Sequence, residues 1–168
     1  MFGLFKKSIE LKTIVSDLAT DLGEVRRGID GLTSSDGAAK HPAYSAEASA
    51  FVYVLGWFAV QTSGLTDSDK HRFSAELTGV LAKNLSGAKN QLEMLRFVQE
   101  RLGAYRQAMN SGKGRDWAAK LVFQFLQYLD ADSPDHVPLQ GGLYATVPTS
   151  VGALRDFLTG VNKTYKFV

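Results

Sequence analysis

Two cations in a glycine-containing turn form a candidate anion site. Residues 111–115 read Ser-Gly-Lys-Gly-Arg and precede a predicted helix, so backbone N–H groups and the side chains of Lys113 and Arg115 would surround the positive end of that helix. The stretch lacks the upstream glycine and the trailing Lys-Ser or Lys-Thr pair of a nucleotide-binding P-loop. An ordinary turn between antiparallel helices also explains it, so Lys113 and Arg115 are weak anion-binding candidates.

Glu47 stands shortly before a strongly apolar run, Ala50 to Val60. A carboxylate buried at such a place must be paired with a cation or carry a proton. The same carboxylate stays in water if it lies at the rim of the fold, in the first turns of a helix. We expect the rim position, with the buried one as the alternative.

No residue pattern in the sequence predicts a catalytic or metal centre. The three histidines, His41, His71 and His136, lie in different segments, and neither Glu-x-x-His nor His-x-x-x-His occurs. Cysteine is absent, which excludes thiolate ligands and cysteine nucleophiles and is typical of cytoplasmic proteins. The Gly-x-Ser-x-Gly turn of serine hydrolases is also missing. We therefore predict a non-enzymatic, cytoplasmic protein with no cofactor.

Length and charge indicate one ordinary globular domain. The chain has 168 residues, of which 45% are hydrophobic, and this suits a single domain over residues 1–168. Its 19 Lys and Arg residues are nearly balanced by 17 Asp and Glu residues. Because the charges are so evenly balanced, we do not expect a nucleic-acid partner on charge alone.

The run from Ala50 to Val60 has no polar face, so a helix through it must be covered on every side. As a helix the run would span ~16 Å, about half of the ~30 Å hydrocarbon core of a bilayer. Polar residues flank it, with Glu47 before and Gln61 after. We predict a buried helix from Ala43 to Gln61 at the centre of an all-α bundle.

A heptad pattern runs along the first predicted helix, from Leu4 to Leu32. Its apolar residues recur at spacings of three and four and share one face. The candidate interface residues on this face are Leu4, Leu11, Val15, Leu18, Leu22, Val25 and Ile29. The face is either the buried side of a bundle helix or a contact surface for another chain. Our leading hypothesis is an interaction protein that self-associates through this face. Its partner would be a second copy of the chain, giving a homodimer, or another protein.

Four more amphipathic helices bring the predicted total to about six. The residues from Ala131 to Val147 show no helical period, and Pro134, Pro138 and the pair Gly141-Gly142 favour a long irregular segment that crosses the bundle. The last helix is predicted from about Pro148 to Tyr165. No stretch of the sequence predicts a strand.

Two alternative functions rest on aromatic residues. The first is a pocket between helices for a small apolar ligand or lipid, lined by Trp57, Phe58, Phe123, Phe125 and Tyr144. The second is binding to a membrane surface, because apolar side chains beside cations are typical of interfacial segments. That surface would be formed by Phe2, Leu4, Phe5, Lys6 and Lys7.

Overall fold

The computed structural model describes residues 7–85, 91–110 and 116–168. In these ranges the chain forms six helices and two short strands, which confirms the predicted all-α bundle of about six helices. The helices are α1 (Leu11–Asp36), α2 (Tyr44–Thr62), α3 (Asp67–Leu85), α4 (Gln91–Asn110), α5 (Trp117–Gln127) and α6 (Val137–Thr164). The strands are β1 (Lys7–Ile9) and β2 (Tyr165–Phe167).

Helix α2 is the central element of the bundle, as the sequence predicts. It begins one residue after the predicted start, Ala43, and ends one residue after the predicted end, Gln61. Thirteen of its nineteen residues are buried, and it contacts each of the other five helices. The continuous apolar run therefore produces a helix covered on every side.

Helix α1 buries its heptad face within its own chain. Leu11, Val15, Leu18, Leu22 and Ile29 are buried, and Val25 is partly buried against the same core. The helix packs on α2, α3 and α6. Leu4 lies outside the described residues. The candidate interface residues that are described therefore serve as core residues of one chain.

The prediction that the chain contains no strand is wrong. Strand β1 pairs in parallel with β2, with Lys7 opposite Tyr165 and Ile9 opposite Phe167. The N–H of Val168 also donates to the carbonyl oxygen of Ile9 at 3.1 Å. Three-residue strands are too short to show an alternating pattern. This pairing also means that residues 7–9, which belonged to the predicted first helix, are extended.

The prediction of an irregular segment from Ala131 to Val147 is also wrong over most of that range. After a short 3₁₀ turn at Pro134–His136, one helix runs from Val137 to Thr164. Pro138 lies in its first turn, where the N–H group that proline lacks would have no partner within the helix. A Cβ atom at Gly142 would lie 2.8 Å from Leu32 Cδ2, so this glycine allows α1 and α6 to approach closely. Pro148 is exposed, so water can bind the carbonyl group that loses its helical partner.

None of the described helices is long and apolar enough to span a bilayer. The expected burial of the run Ala50 to Val60 within the protein is therefore confirmed by its packing in α2.

Candidate functional site

A buried ion pair joins the central helix to α4. Glu47, in the first turn of α2, is 2% exposed, and Arg101 of α4 is 26% exposed. Nε of Arg101 donates to both carboxylate oxygens of Glu47, at 2.9 Å to Oε2 and 3.0 Å to Oε1, and Nη2 donates to Oε1 as well. The expectation that Glu47 lies solvated at the rim is therefore wrong. A charge-assisted contact with several donors compensates for removing the carboxylate from water.

Aromatic rings hold the guanidinium group of Arg101 in place. Its Cζ lies 3.9 Å from the ring centroid of Tyr128 and 4.9 Å from that of Phe97. Each contact places the cation over a ring, where the electron-rich face attracts it. The hydrogen bonds to Glu47 raise the pKa of Arg101 above its ordinary value, so the side chain stays charged.

Tyr105 completes this cluster, which we call the Glu47 cluster (Glu47, Phe97, Arg101, Tyr105 and Tyr128). Its side chain is fully buried, and its ring lies edge-on to Tyr128 at 5.9 Å. The hydroxyl group has no hydrogen-bond partner among the described residues. Burial, and then the charge of Glu47, raise the pKa of Tyr105 well above its ordinary value.

A second polar cluster connects α1 to the start of α2. Arg26 donates from Nε to Asp30 at 2.8 Å and from Nη1 to Ser49 Oγ at 2.6 Å. The hydroxyl of Tyr44 donates to Asp30 and accepts a hydrogen bond from Thr33 at 2.7 Å. Burial, followed by the hydrogen bond to Asp30, raises the pKa of Tyr44 to about 12. These contacts fix the angle between two core helices.

Neither cluster has the arrangement of a catalytic centre. The carboxylate of Glu47 is fully engaged by Arg101, so it is not placed to exchange protons with a substrate. His136 contacts Asp36, and His41 lies 3.4 Å from Asp130, so both pairs link the region between α1 and α2 to the region between α5 and α6. Over the described ranges, no group of three His, Cys, Asp or Glu side chains is arranged to hold a metal ion. Both clusters act as polar connections between helices.

Three of the five aromatic residues predicted to line one pocket pack elsewhere. Phe125 stacks on Phe51 in the core, with ring centroids 4.3 Å apart. Phe58 packs against Trp117 at 4.6 Å. Trp57 lies near the guanidinium group of Arg106 and lines a shallow surface groove of about 300 Å³ beside α3.

The other two, Phe123 and Tyr144, lie together on the surface. They are 45% and 37% exposed and line a groove of about 540 Å³ between α5 and α6. Ala108 of α4 also lines it, as do Ala119, Gln124 and the charged Asp116 and Lys120. The predicted aromatic set therefore splits between the core and two surface grooves. Lys113 and Arg115, the weak anion-binding candidates, lie outside the described residues.

The exposed face of α6 carries no charge over a long distance. No Asp, Glu, Lys or Arg occurs from Val137 to Ala153, a length of roughly 25 Å in a helix. Exposed residues recur at spacings of three and four along this part. Five of these exposed residues form what we call the α6 strip: Val137, Gly141, Tyr144, Ala145 and Pro148. Surface helices normally carry charged side chains on the face toward water, so this strip has the composition of a contact surface.

High pH is expected to destabilise the fold through its buried tyrosines. The pKa of Tyr44 rises from 10.0 to about 12 in the folded protein, and those of Tyr53 and Tyr105 rise as well. Above pH 10 the unfolded chain loses these protons while the folded chain keeps them. The contribution of these tyrosines to the free energy of unfolding is therefore fully present below pH 10 and falls as pH rises toward 12. Urea unfolding from pH 8 to 11.5 measures this, and Tyr44→Phe should flatten the decline. A free energy of unfolding that stays constant above pH 10 would contradict it.

Comparisons with protein-family models, with curated proteins and with solved structures find no significant match to this chain.

Proposed function

We propose that this chain is a non-enzymatic interaction protein that forms a homodimer through the α6 strip. The observation that carries this proposal is the uncharged exposed face between Val137 and Ala153, with Phe123 exposed beside it. Interface centres are depleted in charge and enriched in aromatic residues. The heptad face of α1 is occupied by the core of the same chain, so the α6 strip replaces it as the contact surface.

Small residues on the strip favour a helix as the occupant. Gly141 and Ala145 flank Tyr144 on the exposed side of α6. A second helix can approach closely over such residues while the tyrosine ring packs beside its backbone. A second copy of the chain presents the same uncharged surface, as a two-fold symmetric contact requires.

Charges at the two ends of the strip support an antiparallel arrangement. Exposed Asp132 and Asp135 precede α6, whereas Arg155 follows the uncharged part on the same face. Asp135 and Arg155 each lie ten residues from Ala145. A two-fold axis near Ala145 would place Asp135 of one copy at the same level along the helix pair as Arg155 of the other. The present contact of Arg155 with Asp156, at 3.3 Å, is exposed and exchanges easily.

Size-exclusion chromatography with light scattering tests the proposal. At about 100 µM we expect a mass near twice the 18.3 kDa of one chain. Tyr144→Glu places a charge at the centre of the strip and should weaken the dimer at least ~10-fold, which corresponds to ~1.4 kcal/mol. Leu92→Glu is the matched control, because Leu92 is a 62% exposed apolar residue on α4 and should leave the dimer unchanged.

A charge exchange tests the antiparallel arrangement itself. Asp135→Arg and Arg155→Asp should each weaken the dimer, because each places like charges opposite one another. The variant with both changes should regain the affinity of the original chain. Circular dichroism confirms that α6 stays helical, since Asp135 also favours the N-terminal end of the helix. A monomeric chain at 100 µM, or a dimer that Tyr144→Glu leaves intact, would overturn the proposal.

A further inference from the structure

The hydroxyl group of Tyr105 is a buried donor to which no partner is matched. The side chain is fully buried, and its Oη makes no hydrogen bond among the described residues. Burial, and then the charge of Glu47, raise the pKa of Tyr105, so the hydroxyl keeps its proton at neutral pH. The large majority of buried polar groups are paired with protein or with ordered water, because an unpaired one destabilises the fold. The hydroxyl of Tyr105 therefore requires an acceptor other than these side chains.

Facing turns of α2 and α4 place Tyr105 beside the carboxylate of Glu47. Glu47 and Phe51 are four residues apart on α2, and Arg101 and Tyr105 are four residues apart on α4. Residues at this spacing are neighbours on the surface of a helix. Arg101 donates to Glu47, and the ring of Tyr105 lies 5.8 Å from that of Phe51. The ring of Tyr128 contacts both Arg101 and Tyr105. Tyr105 therefore packs one helical turn from the ion pair.

The carboxylate of Glu47 has room for one more hydrogen bond. An ionised carboxylate has about four acceptor positions. Arg101 engages both oxygens with three hydrogen bonds, of which two go to Oε1 and one goes to Oε2. Glu47 is only 2% exposed, so bulk water contributes little to its solvation. A further donor at Oε2 therefore stabilises the buried charge.

We propose that a water molecule bound inside the protein links the hydroxyl group of Tyr105 to Oε2 of Glu47. The water accepts a hydrogen bond from Oη and donates one to Oε2, so a single molecule satisfies both groups. Globular proteins hold roughly one buried water per 27 residues, and these waters bind polar groups that lack a protein partner. A neutral molecule suits this place better than an ion, because Glu47 and Arg101 already balance each other. The inference concerns the protein interior and is independent of the α6 strip.

Tyr105→Phe tests this inference through the sign of its effect on stability. With the water in place, the change removes a hydrogen-bonded hydroxyl, and the equilibrium constant for unfolding should rise about five-fold. If the hydroxyl had no partner, its removal would relieve an unpaired buried donor, and the constant would fall. Urea unfolding near neutral pH measures the constant. Tyr53→Phe is the matched control, because Tyr53 is also buried and its hydroxyl lies 2.8 Å from Thr78 Oγ1, so its constant should rise similarly.

Two further measurements detect the water directly. A high-resolution crystal structure should show one water within hydrogen-bonding distance of both Tyr105 Oη and Glu47 Oε2. Magnetic relaxation dispersion of oxygen-17 water counts long-lived internal waters, and Tyr105→Phe should hold one fewer than the original chain, whereas Tyr53→Phe should hold the same number. An unfolding constant that falls or stays unchanged in Tyr105→Phe, a direct hydrogen bond from Tyr105 to Glu47, or an equal count of long-lived waters in Tyr105→Phe would overturn the inference.

Discussion

Phe51→Ala is expected to lower the free energy of unfolding by about 4 kcal/mol. Phe51 is fully buried in the middle of α2. Its ring stacks on that of Phe125 with 11° between their planes and lies 5.8 Å from the ring of Tyr105. Truncation removes these contacts and leaves a cavity between α2, α4 and α5, which these helices cannot close without moving together.

Urea unfolding followed by circular dichroism measures this effect. In a chain of this length the loss corresponds to a decrease in melting temperature of roughly 10 °C. Phe123→Ala provides the matched control, because it makes the same truncation at a 45% exposed ring and should cost the monomer less than about 1 kcal/mol. Equal losses for the two variants would show that Phe51 is not a central packing residue.

The central helix could be predicted because its signal is local. The run from Ala50 to Val60 has no polar face, so a helix through it must be covered on every side by the rest of the protein. The face of α1 was equally clear in the pattern of Leu11, Val15 and Leu18. The pattern could not tell whether this face meets its own chain or another, because both partners require the same apolar spacing.

Helix α6 could not be predicted over its first half because its causes are distant in sequence. Gly141 and Gly142 weaken a helix in isolation, and Pro138 is read as a breaker unless it stands in the first turn. Gly142 instead leaves room for the side chain of Leu32, which lies 110 positions earlier and would be 2.8 Å from a Cβ atom at that point. Strands β1 and β2 have the same origin, since each exists through a partner at the far end of the chain.

The sequence indicated one member of the Glu47 cluster, the acid, but not its partner. Glu47 stands before the apolar run and is therefore a candidate for burial, but its cation, Arg101, lies 54 residues later. A signal for that cation was present on α4, because Phe97, Arg101 and Tyr105 recur every four residues and so share one face. An arginine between two aromatic residues on such a face indicates a guanidinium group held over rings, and therefore a buried acid opposite it.

Glu47→Gln is expected to destabilise the fold by about 3 kcal/mol, because it leaves the guanidinium group of Arg101 without its counter-charge. Arg101→Met should cost as much or more, since Glu47 is the more deeply buried partner. Replacing both residues, Glu47→Gln with Arg101→Met, removes the two charges together and should cost less than the sum of the two single replacements. Urea unfolding of the four proteins gives the coupling energy directly.

A surface pair supplies the control for this cycle. Glu24 and Arg27 form an ion pair on α1 in which each side chain is 66% exposed. Glu24→Gln should therefore change the free energy of unfolding by less than about 0.5 kcal/mol, because water solvates Arg27 when its partner is lost. If Glu47→Gln cost no more than Glu24→Gln, Arg101 would have to reach solvent freely, and its position over Tyr128 would contribute little to joining α4 to the central helix. If the double replacement cost the sum of the two single ones, Glu47 and Arg101 would act independently, and their contact would not fix how α4 packs on α2.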